Sequence, residues 1–143
     1  MSLKGQENIK TKHDWEKLYE AAKVILNPRE VSPFIYAGGV AAAILTEKGN
    51  IYTGVCIDTA CSLGMCAERN AVANMITSGE NKILKLVCIG TDGETMLPCG
   101  SCQEYLMQLS VTSAEIEILV HHESSETMKL KELMPHWWGK GRF

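Results

Sequence analysis

The chain has 143 residues, 45% hydrophobic and 22% charged, with 14 basic against 17 acidic side chains and a net charge of −3. That is the size and make-up of one ordinary globular domain, and it excludes disordered and fibrous classes. No apolar run approaches the roughly 20 residues needed to span a bilayer, and no basic stripe suits a nucleic acid polymer or an anionic membrane.

Residues 1–12 are polar and are expected to form a flexible N-terminal segment ahead of a single domain over 13–143. They lack the apolar centre of a signal peptide, so a cytoplasmic location is expected. From Asp14, a plausible N-cap, Trp15, Leu18, Tyr19, Ala22, Ile25 and Leu26 recur at helical spacing, and Asn27-Pro28 ends the pattern. Residues 28–39 read as a loop. Two apolar β-prone runs, 40–46 and 51–55, flank Glu47-Lys48-Gly49-Asn50 and read as a hairpin. A buried helix is expected over 66–78, ended by Gly79, and a central strand over 83–90, where the apolar run is nearly continuous. A second helix follows from Cys99 or Gly100 to residue 110, then a strand near an edge over 116–120 and one short turn over 130–134. The order predicts a three-layer α/β/α sandwich with a mixed, about five-stranded sheet. In such sheets sites form where loops leave strand ends and helices begin.

Six cysteines in a chain read as cytosolic point to metal ligands or reactive thiols rather than a disulfide framework. Three of them stand in two motifs, Cys66-Ala67-Glu68-Arg69 and Leu97-Pro98-Cys99-Gly100-Ser101-Cys102, with 32 residues between Cys66 and Cys99. Cys66 and Cys99 open predicted helices, whose partial positive charge favours the thiolate a metal needs. Three protein ligands leave a fourth tetrahedral position free, the pattern of a catalytic zinc site. Glu68, two residues after Cys66, is placed to take a proton from a zinc-activated water and return it to a leaving group. Three thiolates on one Zn²⁺ leave a net charge of about −1, which Arg69 on the same helix face is placed to offset.

Together these motifs resemble the small homotetrameric zinc-dependent cytidine deaminases. The likeness extends through residues 40–46, 51–55 and Leu133-Met134-Pro135, and covers about residues 14–139. The resemblance implies hydrolytic deamination of a cytosine nucleoside to its uracil form, one zinc per subunit and a homotetramer with active sites at subunit interfaces. It also implies roles by position. Cys66, Cys99 and Cys102 bind zinc, Glu68 shuttles the proton, and the backbones of Ala67 and Leu97 contact the ring carbonyl and the leaving amine. In the tail, Trp137 or Trp138 stacks on a base or caps the pocket.

The sequence departs from that family at the sugar. Cys56 and Asp58 stand where the family carries Asn and Glu to grip a hydroxyl, and Gly38 stands where an aromatic is expected. The alternative reading is therefore a bulkier modified aminopyrimidine nucleoside, as in the related blasticidin S deaminases. A more distant alternative is a structural-zinc or thiol-redox module, with Cys61 as a fourth ligand. Cys88, inside an apolar strand, reads as plain core.

Overall fold

The computed structural model describes residues 3–142. The first helix, α1 (Leu3–Ile25), starts well before Asp14. Residues 3–12 therefore continue the same helix rather than preceding it. They carry no Pro and are rich in Lys, Gln and Glu, good helix formers that need no buried face. Asp14 is not a cap but lies within the helix, where Lys85 of the sheet donates to its carboxylate at 3.0 Å.

The strands are β1 (Arg29–Ser32), β2 (Ile35–Thr46), β3 (Ile51–Thr59), β4 (Ile83–Gly90), β5 (Glu117–His121) and β6 (Glu126–Lys129). They form one six-stranded sheet in the order β1-β2-β4-β5-β6, with β3 on the other edge of β2. The strand count is thus one more than predicted. β2 and β3 form the expected antiparallel hairpin, but β2 begins at Ile35, so its first residues pair with both β1 and β3. β4 and β5 pair in parallel, which makes the sheet mixed.

The helices on the second face are α2 (Ala67–Thr77), α3 (Gly100–Met107) and the single turn α4 (Leu130–Leu133). Strand alternation sorts the two cores. Ala41, Ala43, Val87 and Ile89 face Trp15, Leu18 and Ala22 of α1. Ala42, Ile44, Leu86 and Ile118 face Ala71, Val72 and Met75 of α2 and Leu106 of α3. Three layers result, with the start of α2 and the start of α3 on the same side of the sheet. That juxtaposition positions the site.

Candidate metal centre

Cys66 caps the N-terminus of α2 at φ −67°, ψ 154°, and Cys99 caps that of α3 at φ −65°, ψ 166°. Neither side chain bonds its own helix as a cap, so both sulfurs are free to turn to one point. Their Sγ atoms lie 3.7 Å apart. Cys102, fully buried in the first turn of α3, completes a trio whose sulfurs all lie within 4.8 Å of one another. A tetrahedral ion with zinc–sulfur bonds of about 2.3 Å needs sulfurs about 3.8 Å apart, so the Cys66–Cys99 separation fits zinc. Among the described residues this trio is the one cluster of three or more His, Cys, Asp or Glu side chains that could hold a metal ion. Cys61 lies outside it, on an exposed loop.

Local packing fixes the trio. Gly54 of β3 lets the α2 backbone approach so closely that an added Cβ would sit 2.3 Å from Ala71 N and 2.8 Å from Ala67 O. Asn70 and Asn74, one turn apart on α2, donate to the carbonyls of Val55 at 3.0 Å and Thr53 at 2.7 Å. An isolated bridge from Ile57 to Met65 leads the chain into Cys66. On the other side Gln103 donates to the carbonyl of the buried Pro98 at 2.7 Å, closing the turn into α3.

Glu68 is buried at 5% exposure in the first turn of α2, and the Cys102 thiol donates to its Oε2 at 3.7 Å. Burial pushes the Cys102 thiol up from its ordinary value, and the Glu68 charge adds to the shift. Burial also raises Cys99. The backbone N–H and thiol of Cys102, the Cys66 thiol and the Ser101 N–H outweigh it and bring Cys99 below its ordinary value. The Arg69 guanidinium donates from Nη2 to Cys66 Sγ at 3.6 Å. That bond, with a weaker one to Cys102, raises the Arg69 pKa further. Its Nε is the one buried side-chain nitrogen or oxygen among the described residues without a hydrogen-bond partner.

Residues 21–117 match the family model described as "Cytidine and deoxycytidylate deaminase zinc-binding region". The chain belongs to this deaminase family. A cytidine deaminase of Mycobacterium tuberculosis (strain CDC 1551 / Oshkosh) is 29% identical over 101 residues, which cover 70% of this chain and 72% of that one. One of Mycoplasma genitalium is 28% identical over 101 residues, covering 69% and 78%. The crystal structure of cytidine deaminase from Mycobacterium tuberculosis superposes with a TM-score of 0.72 at 27% identity, covering 88% of this chain and 98% of that one.

The remaining residues singled out by the deaminase resemblance lie on several elements. Ala67 is fully buried at the start of α2, and Leu97 is exposed just before Pro98. Cys56 lies on the α2 face of β3, where its sulfur accepts the Val40 backbone N–H at 3.2 Å. Asp58 is exposed beside Glu30, Ser32, Phe34 and Tyr36 in an open groove. Trp137 donates its indole N–H to Glu104 of α3 at 2.8 Å, and Trp138 donates to the other carboxylate oxygen at 2.7 Å. Sequence reasoning passed over Asn70 and Asn74. Their one-turn spacing was the available signal, since polar side chains four apart share a helix face.

Proposed function

We propose that this chain is a zinc-dependent aminohydrolase that converts a cytosine nucleoside, cytidine or deoxycytidine, to its uracil form with release of ammonia. The observation that carries the reading is a buried carboxylate, Glu68, set against a centre that, among the described residues, is made of three sulfurs alone. The names of the curated relatives agree with it. In this reading Cys66, Cys99 and Cys102 hold the ion. Zinc, when bound, supplies the Lewis acidity that brings a water into the range where a carboxylate can deprotonate it. Glu68 accepts that proton, delivers it to ring N3, and then carries the proton of the new C4 hydroxyl to the departing amino group. Water adds at C4 and ammonia leaves, so the net change is one water consumed and one ammonia released. The Ala67 N–H holds the ring carbonyl, the Leu97 carbonyl holds the amine, and Arg69 offsets the charge of the thiolates.

We further propose a single deaminase domain over residues 13–143, working as a homotetramer in cytoplasmic pyrimidine salvage. Exposed Phe34, Tyr36, Leu63 and Met65, the last next to Cys66 in the chain, support burial against further copies, where Trp137 caps the pocket. One observation favours the bulkier modified nucleoside as a second reading. Cys56 accepts the Val40 N–H on its sulfur, so it offers a sugar hydroxyl only a weak S–H donor in place of a strong polar partner.

The test is a panel of cytidine, deoxycytidine, cytosine and blasticidin S, followed by ultraviolet absorbance and ammonia release. Glu68→Gln keeps its zinc and loses turnover. Near-normal activity in that variant defeats the reading.

A further inference from the structure

The three sulfurs are braced in different ways. Cys66 opens α2, which Gly54, Asn70 and Asn74 draw against β3. Cys99 and Cys102 both belong to α3, a helix of eight residues, too short to persist without contacts. Its inner face buries Cys102, Leu106 and Met107. Its flank carries Glu104, and this carboxylate receives the C-terminal tail. Trp137 donates to one oxygen at 2.8 Å, and Trp138 donates to the other at 2.7 Å. Gln108, one turn further along α3, donates at 2.9 Å to the oxygen that Trp138 uses. Side chains of adjacent residues in an extended chain diverge. Here the tail turns so that both indole edges meet one carboxylate, with ring centroids 5.8 Å apart. The base of the tail is itself fixed. Leu130 is fully buried, and Leu133, Met134 and Trp137 pack against the core cluster that α2 and α3 share. The Trp137 ring lies over Gly139, where an added Cβ would sit 2.4 Å from it. Hydrogen bonds to a charged acceptor are stronger than those between neutral groups, so two on one carboxylate make a firm joint.

We propose that Glu104 is a positioning residue for the metal centre: by accepting both indole N–H groups it latches the tail onto α3 and holds Cys99 and Cys102 at the spacing the ion needs. The proposal rests on the sulfur trio as the zinc site. A helix of two turns that rocks on the sheet carries both of its ligands away from Cys66 together. The latch opposes that motion on the flank, as the Gln103 bond to the Pro98 carbonyl does at the start of the helix.

The experiment loads wild type, Glu104→Gln, Trp137→Phe and the double variant with zinc, adds excess chelator, and follows the rate of zinc release. Gln keeps the volume of Glu104 but offers one oxygen to two indoles, and Phe keeps a ring without its N–H. Either single variant releases zinc roughly threefold to tenfold faster, the range for one lost hydrogen bond. The double variant is no faster than Glu104→Gln alone, because both changes remove the same contact. Glu80→Gln, which lowers Tm from the far end of α2, is the control and releases zinc at the wild-type rate. Release that follows Tm in every variant, Glu80→Gln included, marks general destabilisation and overturns the proposal. Rates that simply multiply in the double variant overturn it too, since the two residues then act separately. If Trp137→Phe raises KM for cytidine while zinc release is unchanged, the tail acts only as a cap and the latch is refuted. Wild type that holds zinc, with unchanged release in both single variants, ends the latch alone. Wild type that binds no zinc ends the zinc site and the latch together.

Discussion

Gly54→Ala places one methyl group between β3 and the helix that carries Cys66 and Glu68. The new Cβ would lie 2.3 Å from Ala71 N, 2.8 Å from Ala67 O and 2.8 Å from Asn70 C, against an ordinary contact of 3.4 Å or more. All three obstacles are backbone, so no side chain can swing aside. The start of α2 must retreat by about 1 Å, the gap between 2.3 and 3.4 Å. Overpacking of this kind costs about 1–3 kcal/mol. At about 4 °C per kcal/mol that is a fall in Tm of roughly 4–12 °C. The functional cost is separate, because the displaced turn holds one sulfur and the proton-carrying carboxylate. A misplacement of about 1 Å reduces turnover by about a hundredfold. The assay measures kcat at a temperature where both proteins are folded, together with zinc per chain by atomic emission. Gly39→Ala serves as the comparison, since its nearest obstacle is Cys56 Sγ at 4.0 Å. Wild-type kcat and full zinc content in Gly54→Ala would refute the argument that β3 sets the position of the active carboxylate.

Arg69→Gln removes the Nη2 contact to Cys66 and leaves the thiolate charge uncompensated; zinc affinity falls 10- to 100-fold in chelator competition, in keeping with loss of a ligand's hydrogen-bonded neighbour. Glu80, at 7% exposure, accepts from Tyr52 at 2.5 Å, Thr46 at 2.7 Å and Asn50 at 2.9 Å, and the Tyr52 hydrogen bond holds its carboxyl below the usual carboxylate value. Its stabilising contribution is therefore complete above the ordinary value of 4.5 and is lost as pH falls through the lowered folded value, so Glu80→Gln lowers Tm at pH 7, reduces the drop in Tm between pH 7 and pH 3, and leaves kcat unchanged.

What could be read from the chain depended on how strongly each segment was buried. β4 is enclosed on both faces, its apolar run is nearly continuous, and its bounds were predicted correctly. The β2–β3 hairpin was legible from two β-prone runs that flank a turn, but β1 was not. Arg29–Ser32 has exposed or half-buried side chains and gains its strand conformation only by pairing with β2. β6, Glu126–Lys129, is an edge strand with one partly buried residue, so no alternation marks it. Residues 3–12 make three helical turns with no buried side chain, a case where backbone propensity acts without an apolar stripe. The sulfur trio was legible because ligand spacing is a local property of sequence, whereas the contact of Gly54 with Ala71 depends on how α2 lies across the sheet.

The electrostatics of the centre explain why its parts come from two helices. Three thiolates about one divalent ion leave a net charge of about −1, and the adjoining buried carboxylate of Glu68 adds another. Each added negative charge weakens the acidification of water, so the arrangement works only if positive potential is supplied nearby. The two N-termini that carry Cys66 and Cys99 supply it through the partial positive charge of their first-turn backbone N–H groups. Arg69 adds a full charge at 3.6 Å from Cys66. Two converging helices give two positive ends and three sulfurs within one small volume, which a single helix could not do. The sheet makes that convergence possible, because Gly54 and the Asn70 and Asn74 bonds draw α2 against β3 while Gln103 closes the turn that starts α3. The fold therefore acts on the chemistry chiefly by setting the separation of two helix ends.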